Sequence, residues 1–382
     1  MNILIILYYY RPHYSGLTIY AERLARALAA RGNKVTVLTS QFDKSLARHE
    51  IVDGVEIVRE PVAFHISKGP IIPSFLPTAW KLMREADVVN LHLPQLDAAP
   101  ISMLARLQRK PVVLTYQCDL VLPEGFVNRL ANLASDTANF VSASAAHMIV
   151  NTSWDYAKRS RFLSKYFDKV RVVDAPVVLP QVTDKEVRAF KLKYDVQADE
   201  QIIGMVARLA AEKGVEHLAR ALPQVLETYP KARVLYVGPY ENVFGEEQYA
   251  EMLAPIIANL GEHWQFLGII SDEELAAFFH SCNLVVLPST NSTEALGLVQ
   301  VEAMTCGTPS VASDLPGLRQ PVLTTGMGEI FAMGNASALA QAIIKVLGSP
   351  DEYKGDVPAI KARFAPDAAA ASYEDLFREL TD

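Results

Sequence analysis

The feature that most constrains this chain is a repeated grammar: a short unalternated apolar run, polar residues at its C-terminal end, then a stretch of helical spacing. It appears first as "NILIILYYY" running into "RPHYSG", followed by "LTIYAERLARALAARGNKVTVLTS". Tyr20, Leu24 and Leu28 recur at helical spacing, Gly32 closes the helix, and Val35, Val37 and Leu38 begin the next strand. "DVVNLHLP", "PVVLTYQCD" and "NFVSAS" read as further strands. Apolar runs without alternation are strands buried on both faces, so the pattern predicts a parallel sheet with helices on either side. The pattern lapses over "LPQVTDKEVRAFKLKYDVQADE", which carries charge and no strand signal, and resumes with "QIIGMVAR", "ARVLYVG", "WQFLG", "NLVVLPS" and "TPSVASD". Helical stretches such as "VEHLARALPQVLETYP" and "DEELAAFFHSC" alternate with them, and "PDAAAASYEDLFREL" ends the chain as an amphipathic helix. The expected architecture is α/β, with two doubly wound domains at residues 1–182 and 183–365 and a closing helix over 366–382. Such sheets bind ligands at the C-terminal ends of their strands, so a cleft shared by the two domains is the expected place for the chemistry.

A length of 382 residues suits two domains of ordinary size, each with its own core. Hydrophobic residues at 50% and charged ones at 21% place the chain among globular proteins. The net charge of -7 argues against a nucleic-acid partner, which would need a basic face to meet phosphates. Cys118, Cys282 and Cys306 lack the spacing of a disulfide framework or a zinc site and read as small buried side chains. "MNILIILYYY" is too short to span a bilayer and lacks the flanks of a signal peptide, so the expected location is the cytoplasm.

The chemistry concentrates in "NLVVLPSTNSTEALGLVQVEAMTCGTPSVASD". A strand over Asn283 to Leu287 is followed by a loop, and a helix is expected to begin near Ala295 or Gly297. A helix N-terminus at the C-terminal end of a strand offers unpaired N–H groups to an anion, and Gly297 is read as the residue that lets a ligand approach them. Were the segment wholly helical, Glu294 and Glu302 would lie about 12 Å apart along the axis. Paired glycosidase carboxyls stand at roughly 5–5.5 Å or 6.5–9.5 Å, so the spacing fits that chemistry poorly. It suits a long ligand with hydroxyls at both ends and a diphosphate between, the layout of a nucleotide sugar.

With its two glutamates, this segment resembles the Glu-x7-Glu motif of retaining glycosyltransferases of family 4, which have the GT-B fold of two Rossmann-like domains. "GMVARLAAEKGVEHLARAL", "VGPYENV", "FLGII" and "DEELAAFFHSCNLVVLPS" follow the family's order, and the resemblance runs from residue 1 to the final helix, which in that fold crosses back to the N-terminal domain. It implies that Glu294 holds the donor sugar, Glu302 the ribose, and the backbone of Gly297, Leu298 and Val299 the diphosphate. Arg208 and Lys213 would neutralise that diphosphate as it leaves, without a metal or other cofactor. Gly16 would bring bare backbone to the phosphates, and Leu267, Gly268 and Ile269 would border the base. The activity implied is transfer from a nucleotide-diphosphate sugar, a UDP-sugar foremost, to an unidentified acceptor with retention.

The family usually carries His where this chain has Gln117, which cannot move a proton but can hydrogen bond. Front-face substitution, in which the departing phosphate oxygen takes the acceptor's proton, does not require that His. Asp119 and His92 are the neighbouring candidates to orient or deprotonate an acceptor hydroxyl. An epimerase acting on the donor alone, and a binding homologue without activity, are the alternatives. A dehydrogenase would want Gly-x-Gly-x-x-Gly after the first strand, which "RPHYSG" does not provide. "HISKGPIIPSFLP", "LVLPEGFVNRLANL" and the basic "KRSRFLSKYFDKVR" are candidates for peripheral contact with the inner face of a membrane; completing a core, and a solvated face, are their other readings.

Overall fold

A computed structural model describes residues 1–66, 69–119 and 126–381, and side chains outside 66 and 126–131 of these. The chain divides into two compact units, Met1–Val177 with Arg363–Asp382, and Val178–Ala362. The sequence pattern places these divisions a few residues later, at 182/183 and 365/366.

The first unit holds β1 (Asn2–Ile6), β2 (Lys34–Gln41), β3 (His49–Val52), β4 (Val55–Pro61), β5 (Phe64–Ile66), β6 (Gly69–Ile71), β7 (Val88–Leu93), β8 (Val112–Tyr116), β9 (Met148–Asn151) and β10 (Val170–Val172). Its main sheet runs β10-β9-β8-β7-β1-β2-β4-β3, parallel except for the antiparallel edge strand β3; β5 and β6 form a separate hairpin. The order reverses at β1, which has β7 on one side and β2 on the other. Strands β7 and β8 are buried along their whole length, as their continuous apolar runs require.

The second unit holds β11 (Gln201–Val206), β12 (Ala232–Val237), β13 (Trp264–Gly268), β14 (Leu284–Leu287), β15 (Ser310–Ser313) and β16 (Gly328–Phe331) in the all-parallel order β13-β12-β11-β14-β15-β16. Helices Val215–Thr228 and Ala336–Gly348 pack on this sheet, burying Leu218, Leu222 and Val225 with Leu339, Ile343 and Val346. Those residues recur at three- and four-residue steps, which gathers them on one face of each helix. Both units are doubly wound, Rossmann-like sheets, the class expected from the sequence.

Local readings differ in places. "NFVSAS" lies within the helix Phe126–Ala145, and the strand follows at Met148–Asn151. A six-residue apolar run has no period long enough to separate a strand from the buried face of a helix. The charged segment near 190 is the helix Asp184–Lys193, opened by a capping box in which Thr183 and Glu186 satisfy each other's backbone N–H groups. None of the three cysteines is in a disulfide, and all are half-buried.

The final helix, Pro366–Thr381, packs against Gly16–Ala30 in the first unit. Tyr373 inserts its hydroxyl between Tyr20, at 3.0 Å, and Thr115, at 2.9 Å. Arg31 bridges Asp367 and Glu374 at the rim of that contact. Among the described residues no helix is long and apolar enough to cross a membrane. Of the stretches read for membrane contact, residues 67–68 and 120–125 lie outside the described residues. In the basic stretch, the Lys169 ammonium donates to the carbonyls of Ala143 and Ala146 at the end of the helix Phe126–Ala145, a structural task.

Candidate functional site

In the second unit the strand order reverses at β11, which lies between β12 and β14. An open parallel sheet leaves a crevice at such a point, because the helices following the two neighbouring strands fall on opposite faces. The residues leaving β11 and β14 are those the motif singled out.

From the end of β11 the chain passes through Arg208 and a single turn, Ala211–Lys213, to Gly214, which starts the helix Val215–Thr228 in left-handed conformation at φ +64°. A Cβ on Gly214 would lie 2.0 Å from the carbonyl oxygen of Pro288, so only glycine lets this turn close against the end of β14. That closure sets the Lys213 ammonium on the Glu294 carboxylate across 81 residues of sequence. Arg208 pairs with Glu212 and stands 3.7 Å from Glu246, whose carboxylate also accepts the N–H of Ala211 at 3.0 Å. Glu246 thereby ties the segment after β12 to the cationic turn. The motif reading missed it, since no local pattern marks a residue 38 positions from Arg208.

Glu294 lies in the loop before the helix Leu298–Thr305, and Glu302 lies within that helix, buried at 4% exposure. Gly297 caps the helix at φ +69°. A Cβ there would meet the Leu287 and Leu318 side chains at 2.7 Å, so packing and the left-handed backbone both favour glycine at this position. Leu298 and Val299 open the helix, where the first N–H groups have no partner within the helix itself. At the other end of the sheet Gly268 closes β13 at φ +70°, with Leu267 half-buried and Ile269 exposed at 76%. Tyr240 stacks on Phe266 beside them, centroids 4.3 Å apart. Among the described residues no cluster of His, Cys, Asp or Glu is arranged to hold a metal ion.

The first unit carries the other candidates at the C-terminal ends of β7 and β8. His92 is buried, and loss of water lowers its pKa to about 3, which leaves the ring neutral at working pH. Its Nε2 lies 3.0 Å from Asn90 Oδ1, while the Asn90 amide donates to Val113 O and Thr115 Oγ1. Nε2 therefore carries the proton and Nδ1 the lone pair, an arrangement that suits orienting a hydroxyl better than accepting its proton. Asn90 is held through Thr115 by Tyr373 of the final helix. Asp119 accepts hydroxyl hydrogen bonds from Tyr116 at 2.7 Å and Ser160 at 2.6 Å, which commits its Oδ1 to the protein. Gln117 continues from β8, its N–H bonded to Leu93 O at 3.1 Å. Gly16 opens its helix with nothing within 4 Å of where a Cβ would stand.

The model for Glycosyltransferase Family 4 matches residues 14–177 and that for glycosyl transferases group 1 residues 187–356, each within one of the two units. The phosphatidyl-myo-inositol mannosyltransferase of Mycobacterium leprae is 27% identical, covering 87% of this chain and 83% of its own. The fold is shared with sucrose-phosphate synthase of Thermosynechococcus elongatus, with a TM-score of 0.78, 23% identity and coverage of 99% of this chain and 98% of that one. It is shared equally with Anabaena HepE, solved with UDP-glucose, with a TM-score of 0.77, 19% identity and coverage of 99% and 100%. Matched along most of its length by these two models, the chain belongs to the family 4 glycosyltransferases and has their GT-B fold.

Proposed function

We propose that this glycosyltransferase moves a sugar from a nucleotide-diphosphate donor, a UDP-sugar foremost, to an acceptor hydroxyl with retention of configuration and without a metal ion. The observation that carries the reading is the convergence of Arg208, Lys213, Glu294 and the helix start at Leu298 on the ends of the adjacent strands β11 and β14. Two cations and a row of backbone N–H groups suit a diphosphate, and a carboxylate beside them suits sugar hydroxyls. Lys213 is paired with Glu294. An arriving diphosphate would draw the ammonium to itself and free Glu294 to bind the sugar, while Glu302 takes the ribose.

In the reaction the acceptor oxygen attacks the anomeric carbon from the face the leaving group departs, and the bond from that carbon to the phosphate oxygen breaks. The departing phosphate oxygen takes the acceptor proton. Arg208 and Lys213 stabilise the charge that develops on the diphosphate. This route gives Gln117 a hydrogen-bonding role and requires no proton transfer from it.

The test is calorimetric titration with UDP, GDP and ADP and their sugar conjugates, followed by donor hydrolysis on whichever binds. Binding of one nucleotide with slow hydrolysis of its sugar form is the expected result. Failure of all three nucleotides to bind would refute the donor reading, and conversion of donor to an epimer without acceptor would replace transfer by epimerisation.

A further inference from the structure

The opposite edge of the first sheet, at the N-terminal ends of β8 and β9, carries a concave place of its own. The helices Ala98–Leu107 and Phe126–Ala145 pack side by side there. Between their last turns they leave an open groove of about 410 Å³, lined by Met103, Arg106, Phe140, Val141, Ser144 and Ala145. That volume lies within the roughly 300–1,000 Å³ of small-ligand pockets. Met103 and Val141 remain 56% and 38% exposed at its mouth. The solvent side of a surface helix is ordinarily polar, so apolar side chains gathered around a groove there mark a place for an apolar guest.

The groove adjoins His147, just before β9. The N–H of Val112 donates to His147 Nδ1 at 3.0 Å and takes the single lone pair of the neutral ring. Burial and the charge of Arg106 lower the pKa of His147, in keeping with that neutral form. Nε2 therefore carries the ring hydrogen. It stands 2.6 Å from Arg106 Nη1, which is itself only a donor. Two donors held that close have no bond to give each other, and an acceptor shared between them, above all an anionic one, satisfies both. Lys165 brings a second cation to the same rim, its ammonium 4.4 Å from the centroid of the Phe140 ring. Among the described residues neither Arg106 nor Lys165 is paired with a carboxylate.

We propose that this groove binds a single-chain anionic amphiphile, whose carboxylate or phosphate head accepts from Arg106 and His147 while its alkyl chain lies along Met103, Phe140 and Val141. A bare anion would leave the apolar lining wet, and a neutral alcohol would leave the two donors without a charged acceptor. A bilayer surface asks instead for a broad apolar face lying flat in the interface, where this structure offers a groove for one chain. The site lies at the strand ends away from His92 and Gln117, and nothing in its argument draws on the transfer reaction.

The test is titration of the full chain with decanoate and with decyl phosphate below their micellar concentrations. It is read by calorimetry and by the ε-methyl signal of Met103 in methionine-labelled protein, with decanol and acetate as the headless and chainless controls. At least one of the two amphiphiles is expected to bind and to move Met103, with both controls weaker by about tenfold or more. Arg106→Gln, at an exposed position, should weaken that amphiphile about 10–100-fold and leave decanol unchanged. Val141→Glu sets a like charge in the groove and should abolish amphiphile binding with an unaltered thermal transition. Binding of neither amphiphile, equal binding of decanol, an unmoved Met103 or undiminished affinity in Arg106→Gln overturns the proposal. So does capture by phosphatidylglycerol vesicles without binding of either monomer, which would make this face a membrane surface. UDP enters none of these measurements, so failure of the donor reading leaves this site standing.

Discussion

Gly214→Ala tests the joint that brings Lys213 to Glu294. At φ +64° an alanine carries the left-handed penalty of roughly 1–2 kcal/mol. Its Cβ would also lie 2.0 Å from Pro288 O, against an ordinary carbon–oxygen separation of about 3.3 Å. Relieving that overlap means moving backbone by more than an ångström, which in a packed region costs about 1–3 kcal/mol more. The total is about 2–5 kcal/mol. Gly245→Ala is the control, since Gly245 has φ +78° with nothing within 4 Å of its Cβ position and should show the conformational part alone. Urea unfolding of the second unit, followed by Trp264 fluorescence with Trp80 and Trp154 changed to phenylalanine, separates the two. The turn carrying Lys213 is displaced in Gly214→Ala, so UDP affinity should fall as well. Equal stability losses in the two variants would refute the steric reasoning, and undiminished UDP binding would refute the link from the turn to the donor.

Lys213→Met should weaken UDP and its sugar conjugate alike by about 10–100-fold, the worth of one charge-assisted bond, as read by calorimetry. Glu294→Ala should nearly abolish transfer while leaving UDP affinity unchanged or tighter, because Lys213 loses its competing carboxylate; unaltered turnover would sink the assignment. Gly16→Ala has open space around the new methyl and a helical position to favour it, so stability should rise by up to about 0.5 kcal/mol. Any loss of donor affinity in that variant would then report ligand approach and not misfolding. His92 makes the first unit acid-sensitive. Its folded pKa of about 3 lies below its ordinary value, so between those limits the unfolded chain binds a proton the folded one refuses. Stability should therefore fall as pH drops from about 6.5, by up to about 1.4 kcal/mol per unit, and His92→Gln should remove that part of the slope in unfolding measured at pH 7, 6 and 5.

Much of this protein was legible in its sequence because each sheet repeats one rule, apolar strand then amphipathic helix, and because Arg208, Lys213, Glu294 and Glu302 sit inside a segment whose order alone suggests a donor site. Local pattern is silent about environment. "NFVSAS" is apolar in either a strand or a helix, and the closeness of Leu287 and Leu318 to Gly297 shows in no reading of its neighbours.

What the sequence by itself determined is which stretches become strands and helices and which polar residues stand at strand ends, since periodicity reports the burial of a face. Strand order belongs to the tertiary structure, decided by long-range packing that no local period encodes. That order sets β14 beside β11, so that Lys213 meets Glu294, and β7 beside β1, so that the N–H of Asp97 meets the Tyr8 hydroxyl. The same packing seats Tyr373 of the last helix behind Thr115 and fixes the proton of His92, 281 residues earlier in the chain. Whether a buried amide has a partner depends on every group around it, and only the folded chain assembles those groups.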